Sequence, residues 1–168
     1  MSARIDFAAD VLRPMTVASL DGVMALEVEV YPFPWSRGNF VDSLSAGYTA
    51  WTLNRPDGDL VGYCVAMAGA GEMHLLNITI APAARRCGRA RGVLVELVRV
   101  CAALPADRLW LEVRESNAEA RAAYARLGFT AVGIRKDYYP APGARREHAV
   151  VMSLDVGADA GTDRHALD

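Results

Sequence analysis

The sequence predicts one mixed α/β domain, on three observations. The length of 168 residues fits a single compact domain, because domains commonly contain about 100–200 residues. Hydrophobic residues make up 52% of the chain and charged residues 23%, which suits a folded core and excludes wholesale disorder. Strand-like segments outnumber helical ones, and two strand–helix units lie in the middle of the chain, so we expect a sheet with helices on both faces.

The first predicted elements are two helices separated by a proline-rich turn. Residues 15–30 have a loosely helical pattern of apolar residues, with Asp21 and Glu27 outside the apolar face. Residues 31–35 cannot continue this helix, because their two prolines lack amide donors and fix φ. Ser36 then provides an N-cap for a second, short helix.

Strands follow, and the period of the apolar residues changes after them. Apolar segments that are typical of strands occupy residues 49–53, 60–68 and 74–80. A Pro-Asp-Gly turn at 56–58 joins the first two segments as a hairpin. Apolar residues then recur at spacings of three and four, which predicts a helix from about Gly88 to Pro105, and residues 109–113 predict a further strand.

The last third of the chain predicts one helix and two short strands. Ser116 and Glu119 match an S-x-x-E capping box that opens the helix, and Gly128 supplies the left-handed residue that ends it. The two strands are expected near residues 131–135 and 149–154. The expected boundaries are a partly ordered segment at 1–13, the folded domain at 14–156 and a disordered tail at 157–168.

Composition and charge exclude several classes of protein. The formal net charge of −2 argues against a polybasic nucleic-acid binder, and no apolar run has the ~18–20 residues of a membrane span. The three cysteines form no C-x-x-C pair, which favours reduced thiols in a cytoplasmic protein: Cys64, Cys87 and Cys101. The three histidines are too far apart in the sequence for a metal-binding motif, so we expect no metal site: His74, His148 and His165.

A strand–turn–helix segment from Ile78 to Gly92 carries the clearest chemical pattern. The first amides of a helix have no internal partner and bind anions, and small residues in the turn would let a diphosphate approach the backbone. Four arginines surround that helix start: Arg85, Arg86, Arg89 and Arg91. Positive side chains there oppose the helix dipole unless an anion is present, which favours a diphosphate site; the alternative is a solvated arginine cluster. Neither a Walker loop nor a G-x-G-x-x-G fingerprint is present.

Two titratable side chains are candidates for acid–base chemistry. Glu112 lies in an apolar strand, where a carboxylate must pair, hydrate or become neutral, and partial burial would raise its pKa as a general base requires. The alternative is an ion pair with a nearby arginine, either Arg114 or Arg135. Tyr124 lies on the apolar face of its helix, where a tyrosine usually belongs to the core.

With these motifs the sequence resembles the GNAT acyltransferases. Residues 85–90 fit the motif R/Q-x-x-G-x-G/A, in which Ala90 stands at the second glycine position. The accompanying segments resemble the branch of the family that acetylates the amino-terminal alanine of ribosomal proteins: Phe33-Pro34-Trp35, Asn77–Ile80, Leu109–Arg114, Ser116-Asn117, Ala123-Tyr124, Leu127-Gly128-Phe129 and Tyr138-Tyr139-Pro140. The resemblance covers about residues 14–155.

The resemblance implies the GNAT fold, a mixed and mostly antiparallel central sheet that is splayed in the middle. It also implies acetyl-CoA as the acetyl donor. The amides of Ile78, Thr79 and Ile80 would then bind the acetyl and pantetheine groups, and Asn117 would contact the donor further along. The pyrophosphate would be held by the turn and helix start, which comprise Arg85, Arg86, Cys87, Gly88, Arg89, Ala90 and Arg91.

The resemblance further implies the catalytic roles. Glu112 falls on the family's general base and Tyr124 on its general acid, so the amine would attack the thioester directly and Cys87 would not be a nucleophile. Two loops would flank the acceptor, and their aromatic residues would bind an extended peptide: Phe33, Trp35, Tyr138 and Tyr139. Alternatively, Trp35 and Tyr138 serve only as hinge packing. The roles of Glu72 and His74 stay open.

The implied acceptor is the amino-terminal alanine of a small-subunit ribosomal protein. Asp42 and Asp137 would attract a basic protein terminus. One alternative is a GNAT enzyme that acetylates a small amine, such as a polyamine or an antibiotic. A second alternative, from a different class, is a non-catalytic module that binds acyl-CoA and regulates a partner.

Overall fold

A computed structural model describes residues 9–157, and all structural statements refer to these residues. Strands and helices follow one another in this order: β1 (Val11–Pro14), α1 (Leu20–Val30), α2 (Arg37–Ser45), β2 (Thr49–Asn54), β3 (Leu60–Gly69), β4 (Glu72–Ile80), α3 (Arg89–Ala103), β5 (Arg108–Arg114), α4 (Ala118–Arg126), β6 (Thr130–Ala141) and β7 (Arg145–Asp155). None of the helices within this range is long and apolar enough to cross a membrane.

The seven strands form one sheet in the order β1-β2-β3-β4-β5-β7-β6. Strands β4 and β5 are parallel, whereas the pairs β1–β2, β2–β3, β5–β7 and β6–β7 are antiparallel. The parallel connection contains α3, as a strand–helix–strand crossover requires. The prediction of a mixed, mostly antiparallel sheet is confirmed.

The chain divides into two compact units, and the first comprises the described residues up to 67 together with 76–95. Its core is built from one face of α1, from α2 and from β2 and β3. The buried side chains of this core are Met15, Leu20, Val23, Leu26, Phe40, Ala50, Tyr63 and Val65. Burial of these apolar groups fixes α1 and α2 against the strands, since an amphipathic helix is stable mainly through packing of its apolar face.

The second unit comprises residues 68–75 and the described residues from 96 onward. Strand β5 shows its organisation: Leu109, Leu111 and Val113 are buried, and the residues between them are less buried. Because successive strand residues point to opposite faces, Glu112 and Arg114 share the second face of β5. This placement positions the candidate base.

The pairing of β4 with β5 is short. It covers Glu72–Leu75 and Arg108–Leu111, although β4 continues to Ile80 and β5 continues to Arg114. Each strand therefore extends past the last residue pair, as expected for a sheet that is splayed in the middle. The last residues of β4 belong to the first unit, and they are the segment that the family resemblance assigns to the acetyl and pantetheine groups.

Several local predictions are confirmed. The Ser36 side chain accepts a hydrogen bond from the Asn39 amide at the start of α2. The hairpin turn has Gly58 at a positive φ of 98°, and α3 begins directly after Gly88. The capping box, in contrast, is wrong: Asn117 is the N-cap of α4, and its side-chain oxygen accepts a hydrogen bond from the Ala120 amide at 3.1 Å. The Ser116 amide donates instead to Glu147.

The ends of the domain differ most from the prediction. Val11–Pro14 forms β1 and pairs with β2, although residues up to 13 were expected to be only partly ordered. Strand β6 extends to Ala141, so Tyr138 and Tyr139 lie in a strand rather than in a loop. An edge strand tolerates Pro140 and exposes both faces, so it has neither the composition nor the alternation of an inner strand. The expected tail lies outside the described residues from position 158.

Candidate active site

The end of β4 is held firmly within the first unit. Thr79 and Ile80 are buried, and the Ala81 amide donates to the Val61 carbonyl of β3 at 2.8 Å. A Cβ atom at Gly62 would lie 2.7 Å from the Thr79 carbonyl oxygen, so only glycine allows this close approach. The backbone of the predicted donor-binding segment is therefore fixed in place by β3.

The turn between β4 and α3 has the backbone shape of an anion site. Arg86 has a φ of 59° and Gly88 a φ of 73°, and the left-handed region is unfavourable for an arginine. Alternation of backbone handedness brings successive amides toward one point and creates a concavity for anions. The first α-helical bond runs from the Gly92 amide to the Gly88 carbonyl, so the preceding amides lie at the open helix start.

The arginines of this turn interact with other groups of the protein. Arg85 Nε donates to the Ile80 carbonyl at 3.0 Å and closes the turn. Arg89 Nε donates to Asp10 at 2.6 Å, and the two side chains are 12% and 6% exposed. Contrary to the expectation for this cluster, Arg89 needs no external anion, because Asp10 supplies its counter-charge. Arg86 and Arg91 have interactions of their own, and the Cys87 thiol donates to the Arg85 carbonyl.

Glu112 lies in the second unit, where it pairs with Arg135. The distance from Arg135 Nε to Glu112 Oε1 is 3.1 Å, and the carboxylate side chain is only 11% exposed. The ion pair expected as the alternative reading of Glu112 is thus present with Arg135, whereas Arg114 pairs with Glu147. An ion pair does not exclude a general base, since it also orients the carboxylate.

Tyr139 of β6 lies beside Glu112, and Tyr138 packs against Tyr139. The Tyr139 hydroxyl donates to the Glu112 carbonyl oxygen at 2.9 Å, and the Arg114 guanidinium lies 4.5 Å from the Tyr139 ring centroid. The Tyr138 ring contacts the Tyr139 ring edge-on, and Arg135 lies 5.5 Å from the Tyr138 centroid. The structure therefore brings Tyr139 to the strand that carries the candidate base, whereas Tyr138 contacts Tyr139 and Arg135 of its own strand.

Glu147 of β7 forms hydrogen bonds with Arg114 of β5 and with Ser116, which follows β5. It accepts hydrogen bonds from the Ser116 amide at 2.7 Å and from Arg114 Nη1 at 3.2 Å. The hydrogen bonds from Ser116, followed by the charge of Arg114, lower the pKa of Glu147. A carboxyl group whose pKa is lower in the folded state stabilises the fold above its unfolded pKa, and this contribution disappears as the pH falls through the folded value.

We therefore expect Glu147→Gln to lower the melting temperature by about 2–4 °C at pH 7, which corresponds to about 1 kcal/mol in a domain of this size. The difference from the wild type should shrink as the pH falls below about 4.3, the ordinary pKa of a glutamate. Thermal unfolding between pH 7 and pH 3 measures it, with Glu115→Gln as an exposed control. A difference that stays constant over this range would contradict the assignment.

Tyr124 lies on α4 and packs edge-on against Phe129, with ring centroids 5.8 Å apart. It is half-buried rather than part of the core, and no residue of α4 itself is buried. Tyr124 thus packs against Phe129 from a half-buried position rather than from within the core. The Asn117 side chain is used as the N-cap of α4, so its contact with the donor stays a prediction.

Trp35 and Phe33 occupy different surroundings in the first unit. The Trp35 ring lies 5.2 Å from Phe40, which is the hinge packing that was kept as an alternative, and Phe33 is 42% exposed. Trp35 also lines a cavity of about 460 Å³ together with Asn39, Asp42, Ser43, Ala46 and Tyr48. The tryptophan therefore combines a packed face with a surface that a ligand can reach.

One functional candidate was missed by the sequence. Glu27 was expected outside the apolar face of α1, but its side chain is 1% exposed and accepts hydrogen bonds from Trp35, Tyr63 and Asn77. The sequence contained no signal for this burial, since residues 26–30 alternate apolar residues with two glutamates, of which Glu27 is buried and Glu29 is exposed. His74 Nε2 lies 3.7 Å from Glu72 Oε2, and the His74 ring lies 6.3 Å from the Trp110 ring.

Comparison with known proteins decides the family. The sequence profile described as "Acetyltransferase (GNAT) family" matches residues 20–129. The chain belongs to the GNAT family. A GNAT assignment agrees with the splayed sheet and with the strand–turn–helix segment at β4 and α3.

Within the GNAT family, the chain is similar to several proteins named [ribosomal protein bS18]-alanine N-acetyltransferase. The one from Haemophilus ducreyi is 33% identical over 141 residues, which cover 83% of this chain and 97% of the relative. The one from Escherichia coli K12 is 32% identical over 142 residues, which cover 84% and 95%.

A solved structure agrees with these relatives. The crystal structure of the Escherichia coli ribosomal-protein-S18-alanine N-acetyltransferase has a TM-score of 0.81 at 30% identity, and the match covers 88% of this chain and 94% of that one. The resemblance to this branch of the GNAT family is confirmed.

Proposed function

We propose that this chain is an acetyl-CoA-dependent N-α-acetyltransferase that acetylates the amino-terminal alanine of ribosomal protein bS18. The observation that carries the proposal is the 32–33% identity to two enzymes of that name over 95–97% of their length. Bacterial ribosomal proteins are synthesised in the cytoplasm, so the proposal also places the protein there.

Acetyl-CoA supplies an acetyl group that is already activated as a thioester. The fixed backbone of Ile78–Ile80 is available for the acetyl and pantetheine groups, and Asn117 for the donor further along. The pyrophosphate is held by the turn of left-handed residues and by the open amides of α3, supported by the charge of residues 85–91. Because Asp10 neutralises Arg89, that residue contributes its amide rather than its charge.

Glu112 removes the proton that blocks the acceptor. An α-amino group has a pKa of about 7.7–8.0, so most of it is protonated at neutral pH and has no lone pair for attack. Glu112 takes one proton from this amine, directly or through a water, and Arg135 orients the carboxylate. The Tyr139 hydroxyl, by donating to the Glu112 carbonyl, holds β6 next to the base.

Tyr124 protonates the departing sulfur of CoA. The nitrogen–carbon bond forms, the carbon–sulfur bond breaks, and the Tyr124 hydroxyl donates its proton to the sulfur. The attacking nitrogen releases its second proton to solvent, and solvent also carries the proton from Glu112 back to Tyr124, so no side chain is changed at the end of the cycle. No covalent enzyme species is needed, and Cys87 takes no part.

The acceptor protein is held by aromatic side chains, and the candidates are Phe33, Trp35, Tyr138 and Tyr139. Asp42 in the cavity beside Trp35 fits a basic residue that follows the terminal alanine, since ribosomal proteins bind RNA through positive charges.

Acetylation of defined acceptors tests this proposal. The enzyme is incubated with acetyl-CoA and peptides that share one basic sequence but begin with Ala, Ser, Thr or Met, and with spermidine. We expect the Ala peptide to gain one acetyl group at its α-amine with a kcat/KM at least about tenfold above the others, since one methyl group or hydroxyl is worth roughly this factor.

A matched peptide with a blocked α-amine and a free lysine is the control, and it should stay unmodified. Acetylation of spermidine without any peptide would overturn the proposed acceptor in favour of a small amine. Binding of acetyl-CoA without transfer to any amine would indicate a non-catalytic module.

A further inference from the structure

Glu27 is a buried carboxylate with no cationic partner among the described residues. Its Oε1 accepts a hydrogen bond from the Trp35 amide at 2.8 Å, and its Oε2 accepts one from Asn77 Nδ2 at 3.2 Å and one from the Tyr63 hydroxyl. Burial, and then the bond to Glu27, raise the pKa of Tyr63, so its hydroxyl keeps the proton that it donates. A buried charge is costly unless such donors surround it.

The carboxylate sets the direction of a chain of hydrogen bonds. Since it only accepts, Asn77 must turn its Nδ2 toward Glu27, and its Oδ1 then accepts from the Thr79 hydroxyl at 3.0 Å. The Thr79 hydroxyl therefore donates its single proton to Asn77. The Tyr31 hydroxyl consequently donates to Thr79 Oγ1 at 2.8 Å and lies 3.4 Å from the Ile78 carbonyl oxygen.

This series of hydrogen bonds connects two segments to which the proposed function assigns a role. Tyr31 and Trp35 are the two ends of the proline-containing turn between α1 and α2, which carries Phe33. Asn77 and Thr79 belong to the part of β4 assigned to the acetyl donor. The turn contains two prolines and forms no regular structure, so its position depends on contacts at its ends.

We propose that Glu27 is a positioning residue for acetyl transfer, whose buried carboxylate holds the acceptor-binding turn 31–35 against the donor-binding end of β4. This inference rests on the proposed function, because it concerns the same reaction. Glu27 touches neither reactant. It acts through the Trp35 backbone at one end of the turn and through Asn77, Thr79 and Tyr31 at the other.

The variant Glu27→Gln tests the inference with almost no change in volume. A glutamine keeps an acceptor for Trp35, but its Nε2 donates toward Asn77 and reverses the direction of the chain. We expect the KM for the peptide acceptor to rise about tenfold, the effect of losing one hydrogen bond to a charged group, with acetyl-CoA affinity within about twofold of the wild type. Hydrogen exchange of a fragment covering residues 31–36 should become faster.

Glu29→Gln is the matched control, because it removes the same charge from an exposed position on the same helix. A Glu27→Gln variant with a lower melting temperature, but with peptide KM and exchange like those of the control, would reduce Glu27 to a structural role and overturn the inference.

If Glu27→Gln fails to fold, Thr79→Val tests the inference instead. This variant removes the hydroxyl that links Asn77 to Tyr31 but keeps the backbone amide. A higher acceptor KM and faster hydrogen exchange of residues 31–36 would support the inference, and unchanged values would refute it. The acceptor used is whichever amine the wild-type enzyme acetylates. A wrong bS18 assignment would therefore appear in the wild type, whereas a wrong role for Glu27 appears only in the variants.

Discussion

Replacing Glu112 with glutamine should lower kcat by about 10²–10⁴-fold at pH 7, the range that a positioned general base contributes. Glutamine has the same shape but cannot take the proton from the acceptor ammonium group. Acetyl-CoA affinity should stay nearly unchanged, because the donor is assigned to β4 and the start of α3. Arg135 loses its counter-charge, but it is 52% exposed, so we expect a stability loss of no more than about 1 kcal/mol.

Steady-state rates between pH 7 and pH 9, with calorimetric titration of acetyl-CoA, measure this effect. The defect of Glu112→Gln should diminish toward pH 9, because the acceptor amine loses its proton without help above a pKa of about 8. Glu115→Gln removes an exposed carboxylate just beyond the end of β5 and serves as the control. An unchanged rate of Glu112→Gln at neutral pH would contradict the base assignment and leave the ion pair with Arg135 as its whole role.

The second large effect is expected for Tyr124→Phe, with a decrease in kcat of about 10²-fold or more. Phenylalanine keeps the ring that packs against Phe129 but has no proton for the departing sulfur. The melting temperature and the acetyl-CoA affinity should stay close to those of the wild type. Single-turnover rates with saturating donor and acceptor measure the transfer step without product release.

Tyr124→Ala distinguishes packing from proton donation. Removal of the ring should lower both the melting temperature and kcat, whereas Tyr124→Phe should lower kcat alone. Wild-type turnover by Tyr124→Phe, combined with a destabilised Tyr124→Ala, would show that Tyr124 is only a packing residue and that another group or solvent protonates the sulfur.

Most regular elements followed from local sequence patterns. The Ser36 cap, the hairpin turn at Gly58 and the helix after Gly88 were all predicted, because each depends on residues a few positions apart. Strand β6 was underestimated because burial did not impose an alternating pattern on it. The N-cap of α4 shifted by one residue, since Ser116 and Asn117 are both good caps and only the contact of Ser116 with Glu147 separates them.

The candidate site was predicted less completely than the fold. Family motifs indicated Glu112 and Tyr124 as catalytic candidates and residues 85–91 as the candidate donor-binding turn, but no local pattern could show which charges meet. Asp10 and Arg89 are 79 positions apart. Glu112 pairs with Arg135 rather than with Arg114, because the strand order β5-β7-β6 leaves only one strand between β5 and β6. Such pairs depend on the order of strands in the sheet, which local sequence patterns do not predict.

The sequence by itself determined the alternation of strands and helices, because periodicity, glycines and caps act over a few positions. It also predicted a diphosphate site at the β4–α3 turn, and its resemblance to the GNAT family implied the residues proposed for catalysis. Only the tertiary structure decided the partners of the charged groups. Glu27 is the clearest case: on α1 it looked like a solvent-facing carboxylate, and burial against β3 and β4 surrounded it with three donors from distant segments. Long-range packing, rather than local propensity, placed it there.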